Sequence, residues 1–366
     1  MKIGSLRMSV STASRNCSFG DFMDEGDKVK INHRTSKIKL WTVAAVALLT
    51  SACATTKNQD TTRFLLEGNS AALRGDYPAA ANAYESALRV APGNLPAKRN
   101  LGIVLVKMGD FKRAQKTLAG IQTEYKDDIE IFYFLGEASR GASDHKSALV
   151  HYQKAAKINP LDLRVQKALA WSHFRLGNLE KAFSQAQKLN RSNGEDLQVK
   201  LIFASVLNKQ KKFEEVQALL AHVERSNFNV QSKDKVSADT EKTLLMNALA
   251  ESYVGSDNCN KAEPLYSEIL KARPFLSSAL VGSAKCDLKA KQKSRAISRL
   301  ERATKSDPDS EEAYFLLGQL YENADKSKAT YYYRRFLLLA KDNPQFVSES
   351  RITRSNLVNL EKGSAR

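Results

Sequence analysis

From residue 61 to residue 341 the chain repeats a pattern of small and apolar positions, with two stretches of helical spacing in every thirty-four residues. The segment 129–160, IEIFYFLGEASRGASDHKSALVHYQKAAKINP, shows it plainly, with Leu135-Gly136 followed by Ala148, Tyr152, Ala155 and Pro160. Numbering each unit from one, a small residue falls at position 8: Gly68, Gly102, Gly136, Ala170, Ala204, Ala250, Ala284 and Gly318, spaced 34, 34, 34, 34, 46, 34 and 34 residues apart. Position 20 reads Ala80, Ala114, Ala148, Ala182, Val216, Ala262 and Ala296, with Ala329 one residue early. An aromatic residue or leucine recurs at position 24, and Pro92, Pro160, Pro274 and Pro308 stand at position 32. Small residues at 8 and 20 let two antiparallel helices approach closely, the residue at 24 fills the space between them, and the proline ends the second helix. One such hairpin cannot bury its apolar face, but a stack can. The pattern therefore predicts an all-α solenoid of about eight helix-turn-helix units.

The flanks differ. Residues 1–52 contain an acidic cluster (Asp21, Asp24, Glu25, Asp27), then Lys28, Lys30, Arg34, Lys37 and Lys39, then an uncharged run from Leu40 to Leu49 that leads into Ser51-Ala52-Cys53. A basic region, a short apolar region and small residues before a cut site make a secretory signal too short to span a bilayer. The acidic stretch suits no signal peptide, so translation is expected to start near Val29. Residues 53–60 read as a polar tether, 61–230 as units one to five and 243–341 as units six to eight. The extra residues of the 46-residue step, 226–242 and chiefly 231–242, lack a helical apolar face and read as an exposed insertion. In 342–366, Val347, Ile352, Leu357 and Leu360 lie among polar residues, as in a helix that caps the open end of a stack before a short tail.

The repeat resembles the tetratricopeptide (TPR) family. That resemblance implies a superhelical stack whose concave face, through positions 2, 5, 9 and 12 of each first helix, takes a protein or peptide. In units three and four these positions and their neighbours are Tyr133, Arg140, Arg164, Lys167, Trp171, Phe174 and Arg175, a set of aromatics and cations suited to a peptide or acidic segment. The alternative for Trp171 and Phe174 is core packing. Asn69 and Asn100 fit the asparagine positions of the clamp with which some TPR proteins hold chaperone tails, but Leu65, Glu130 and Phe134 stand where that clamp needs basic residues. The asparagines are left to hold a peptide backbone. Cys259 opens the second helix of unit six and Cys286 lies late in the first helix of unit seven. In a TPR stack those ends are neighbours, so the pair is either a disulfide or two buried thiols.

Ser51-Ala52-Cys53 also resembles the bacterial lipobox, although Thr50 stands where leucine is commoner. The resemblance implies a thioether-linked diacylglycerol on Cys53 and acylation of its amino group. Ala54, in place of Asp, implies delivery to the periplasmic face of the outer membrane. The chain then resembles the TPR lipoproteins that serve pilus assembly, gliding motility, secretion or cell-wall complexes. The other reading is a cytoplasmic or inner-membrane adaptor for a regulatory protein or polyanion.

Composition changes this picture little. The net charge of +17 falls to +13 once the eight basic and four acidic residues before Cys53 are set aside. The surplus is spread over polar faces without the interleaved aromatics of a nucleic-acid site, so nucleic acid is not the expected partner. His145, His151, His173 and His222 are dispersed, with no metal-ligand spacing and no phosphate-binding glycine loop. The expectation is a non-enzyme with no metal, cofactor or small-molecule substrate.

Overall fold

A computed structural model describes residues 58–225, 235–341 and 343–364. The leader, Cys53 and most of the tether lie outside the described residues. Residues from Asp60 onward form one compact unit, and among the described residues all regular structure is helical. Eight hairpins follow in order: α1 (58–73) with α2 (Tyr77–Val90), α3 (Leu95–Met108) with α4 (Phe111–Ala119), α5 (Ile129–Gly141) with α6 (His145–Ile158), and α7 (Leu163–Arg175) with α8 (Leu179–Asn193). They continue as α9 (Leu197–Lys209) with α10 (Phe213–Arg225), α11 (Lys235–Gly255) with α12 (Cys259–Ala272), α13 (Ser277–Lys289) with α14 (Lys293–Ser306), and α15 (Glu311–Tyr321) with α16 (Lys326–Leu339). A 3-10 turn, Pro344–Phe346, leads into α17 (Val347–Ser364).

Position 8 is small because position 24 is large. Tyr84, Tyr152 and Tyr333 are almost wholly buried, each contributing on the order of 1.5–3 kcal/mol of burial. Their rings lie flat against Gly68, Gly136 and Gly318, so that a methyl group at Gly68 would stand 2.5 Å from Tyr84 Cε1. The hydroxyls are tied as well: Tyr84 donates to Asn69 Oδ1 at 2.7 Å and Tyr152 to Glu137 Oε1 at 2.5 Å. Units five and seven solve the same packing problem with alanine and leucine, Ala204 with Leu220 and Ala284 with Leu300, all fully buried. Unit six pairs Ala250 with Tyr266. There the room comes from Gly282, on the first helix of the next unit, which abuts the Tyr266 hydroxyl.

The turn within the hairpin is also periodic. Gly75, Gly109, Ser143, Gly177, Lys211, Asp257 and Lys291 all have positive φ, between +58° and +80°, and all occupy position 15. A single left-handed residue reverses the chain without a longer loop. The residue after it then caps the second helix: the Asp76, Asp110 and Asp144 carboxylates accept from the N–H groups of Ala79, Arg113 and Ser147 at 3.1, 3.3 and 3.0 Å.

Units six and seven are cross-linked twice. Cys259 and Cys286 form a disulfide between α12 and α13, with Cα atoms 5.5 Å apart. Asp287, 3% exposed, sits 2.8 Å from Arg299, which also reaches Glu263 at 3.2 Å.

Two expectations change. Residues 235–242 are helical and form the first turns of α11, which at 21 residues is the longest helix of the stack. At Thr240 and Glu241 polar contacts stand where an apolar stripe is absent: Gln198 donates to Glu241 at 2.9 Å, and Arg273 bonds Thr240. At the other end α17 does cover the stack, with Leu360 packed on Ala329 and Tyr333. Its covered face, however, runs through Ser350, Thr353, Leu357 and Leu360, while Val347 and Ile352 are 58% and 47% exposed.

Candidate functional site

The residues at first-helix positions 2, 5, 9 and 12 fall into two zones. In the first, around α5 and α7, the Arg164 guanidinium lies 5.0 Å over the Tyr133 ring and pairs with Glu130 at 2.7 Å and Asp162 at 2.8 Å. Arg140 pairs with Glu137 at 2.6 Å, and Lys167 with Asp196 at 3.0 Å. Burial, reinforced by the Glu137 charge, pushes the Tyr133 hydroxyl up to about 12. The hydrogen bond to Glu137 raises Arg140, and those to Asp162 and Glu130 raise Arg164. Three of the cations expected to meet an acidic partner are thus already held by the protein's own carboxylates. What this zone presents is a ring-and-guanidinium surface of nearly balanced charge.

The asparagines are likewise engaged with each other. Asn100 Nδ2 donates to Asn69 Oδ1 at 3.0 Å, the same oxygen that accepts from Tyr84.

The second zone is a cavity of about 640 Å³ spanning α7 to the C-terminal turn, within the size range of ligand pockets. Trp171 and Phe174, with ring centres 5.2 Å apart, form one wall together with Arg175. The aromatics therefore leave the company of Tyr133, Arg140, Arg164 and Lys167 and join residues that sequence reasoning missed: Asn208, Glu251, Tyr266, Lys285 and Glu312. The signal was available. Glu251 and Lys285 occupy position 9 of units six and seven and Glu312 position 2 of unit eight, the same register that selected Trp171.

The chain closes this cavity on itself. Gln345 Nε2 donates to the Phe174 carbonyl at 3.0 Å, Lys209 lies 5.6 Å over the Phe346 ring, and Asn343 donates to Glu311 at 3.0 Å. A strap of 343–346 thus runs from unit eight back to units four and five. Nothing in the sequence period announces this contact, because it joins residues 171 positions apart.

Inside the cavity Lys285 Nζ meets Glu312 Oε1 at 2.6 Å. Glu251 accepts from Asn247 Nδ2 at 2.8 Å and, among the described residues, has no cation at ion-pair distance. Its side chain keeps solvent-exposed surface, yet the protein packed about the cavity, together with the Glu312 charge and against the pull of Lys285, raises its pKa. No three His, Cys, Asp or Glu side chains among the described residues gather as metal ligands. The chemistry on offer is recognition by stacking, charge and hydrogen bonds.

These features define a class first: a curved stack of helical hairpins that presents its first helices to a partner. Residues 71–137 and again 287–344 match the tetratricopeptide repeat family, so the chain carries tetratricopeptide repeats. No curated protein matches it. Among solved structures, a tetratricopeptide repeat protein from Parabacteroides merdae is 17% identical with a TM-score of 0.58, over 72% of this chain and 100% of that one. Human IFIT1, solved as a dimer with PPP-AAAA, is 17% identical with a TM-score of 0.50, over 81% and 74%. PilF of Pseudomonas aeruginosa is 14% identical with a TM-score of 0.46, over 61% and 96%. At these identities the likeness is one of fold. Tetratricopeptide repeat proteins are in general non-catalytic scaffolds that bind protein or peptide partners in the groove, and the repeats make this chain a scaffold for protein–protein interaction.

Proposed function

We propose that this scaffold is a lipoprotein of the bacterial envelope, acylated on Cys53 and held at the periplasmic face of the outer membrane, where its groove serves the assembly of an envelope machine without catalysis. The observation that carries the reading is Ser51-Ala52-Cys53 at the end of the uncharged run Leu40–Leu49. A thiol is the side chain suited to forming the thioether, and several acyl chains at one site hold a protein where a single chain would not. The Cys259–Cys286 bond supports the same compartment, since structural disulfides persist in oxidising surroundings and are rare in the cytosol. Among the described residues no helix is long and apolar enough to cross a membrane, and the proposed anchor is the lipid.

Metabolic palmitate labelling of the wild-type chain and of Cys53→Ala, with the mass of the mature amino-terminal peptide, tests this. An acylated peptide beginning at Cys53, with label lost in the variant, is the expected result. An unlabelled chain that retains residues 37–52 would refute the lipoprotein reading and return the cytoplasmic or inner-membrane adaptor for a regulatory protein or polyanion.

A further inference from the structure

The chain as a whole is strongly basic, yet the cavity under the strap is not. Its lining brings five carboxylates, Glu251, Asp307, Glu311, Glu312 and Glu349, against three cations. Glu312 is answered by Lys285 and Glu311 by Asn343; Glu251 holds only the Asn247 amide. Two further oxygens lack hydrogen-bond partners, the hydroxyl of Tyr266 on the cavity lining and Asn247 Oδ1 behind it. Asn247 is 6% exposed and Tyr266 wholly buried, so leaving either one empty carries a cost. Tyr266 is the one position-24 tyrosine here whose hydroxyl has no partner, and it is also the one shifted against Gly282 on the next first helix, at the cavity wall. In the repeats of Tyr84 and Tyr152 the neighbouring side chain at position 9 takes the phenol proton. Glu251 occupies that position in unit six and does not.

We propose that this place receives the ammonium group of a lysine side chain carried by the peptide that occupies the groove. Glu251 and the Tyr266 oxygen, both on the cavity lining, supply acceptors, and an ammonium has three hydrogens to give. Trp171 and Phe174 line the same cavity. The inference rests on the groove-binding reading above and names the partner's chemistry, a basic peptide, where the sequence alone pointed to an acidic one.

The charge on Glu251 also separates a binding role from a structural one. Its folded-state pKa is raised, chiefly by desolvation, so the ionised group lowers stability at pH values above the ordinary carboxylate range, and that loss is present at neutral pH. Glu251→Gln keeps an oxygen for the Asn247 amide and removes the charge. The variant should be as stable as wild type or more stable, while losing the lysine.

The test uses the full chain in detergent carrying Trp41→Phe, which leaves Trp171 as the only tryptophan. Its fluorescence is titrated with Ac-Ala-Ala-Lys-Ala-Ala-NH2 and with the norleucine and glutamate versions of that peptide. The lysine peptide should bind about tenfold or more tightly than either counterpart, the equivalent of about 1.4 kcal/mol. Glu251→Gln should abolish that preference with a urea midpoint unchanged or raised. Equal binding of all three peptides, or a lysine preference that survives Glu251→Gln, overturns the cation site and leaves groove binding standing. Binding by none overturns both.

Discussion

Gly136→Ala sets two known effects against each other, and the structure decides between them. In an isolated helix the change gains about 1 kcal/mol, because glycine is the poorer helix former. Here the added methyl stands inside contact distance of Tyr152 Cε1 and Cδ1, with Cζ 2.9 Å away. Overpacking of this kind costs about 1–3 kcal/mol when the neighbour cannot yield. Tyr152 cannot: its ring is fully buried and its hydroxyl donates to Glu137 at 2.5 Å. A charge-assisted bond of that sort is worth about 1.5–3 kcal/mol. The expected net effect is a loss of about 2 kcal/mol. A solenoid's stability is a sum over repeats and their interfaces, so the loss is best read where it occurs, by hydrogen exchange in α5 and α6. Local opening there should become roughly thirtyfold more frequent. In a Tyr152→Leu background the same Gly136→Ala change recreates the alanine–leucine pairing of units five and seven and should become stabilising by about 1 kcal/mol. Slower exchange in Gly136→Ala alone, or an equal loss in both backgrounds, would refute the account.

Reducing the Cys259–Cys286 bond reopens a loop of 27 residues and should cost about 3.5 kcal/mol by the loop-entropy relation. The urea midpoint with and without reductant measures it, and an unchanged thiol count after reduction of the denatured chain would show the bond to be absent. Arg299→Met strands Asp287 in a site where burial already raises its pKa, with only Arg295 at 3.5 Å to answer it; a loss of about 3 kcal/mol is expected, largely recovered by adding Asp287→Leu. Lys291→Gly relieves a left-handed backbone at φ +58° and should raise stability by about 0.5–1 kcal/mol, whereas a fall would indicate that the lysine makes a compensating contact. Gln345→Ala with Phe346→Ala should loosen the strap and increase acrylamide quenching of Trp171 in the Trp41→Phe chain; unchanged quenching would mean that the strap does not control access.

What was legible in the sequence was whatever the thirty-four-residue period carries. Glycine at 68, 102, 136 and 318 is dictated by the large side chain sixteen or fifteen residues on, and that is a local relation, so the period shows it. The left-handed turn at position 15 is local too, yet it hides among Gly, Ser, Lys and Asp, because a single strained residue costs only about 1–2 kcal/mol and the stack tolerates it. The binding face divides along the same line. Helix register grouped Trp171, Phe174 and Arg175, and all three line one cavity, while the two aromatics also pack against the core. Register does not fix who stands opposite. That depends on the curvature accumulated over successive hairpins, which brings Pro344 against Gly177 and Gln345 onto Phe174. A repeat consensus also averages away differences between units, such as the tyrosine of unit six leaning on Gly282 where its equivalents lean on their own first helix. The same irregularity leaves the Tyr266 hydroxyl unpartnered beside Glu251. In a protein built by repetition, the site is to be sought where one repeat departs from the others.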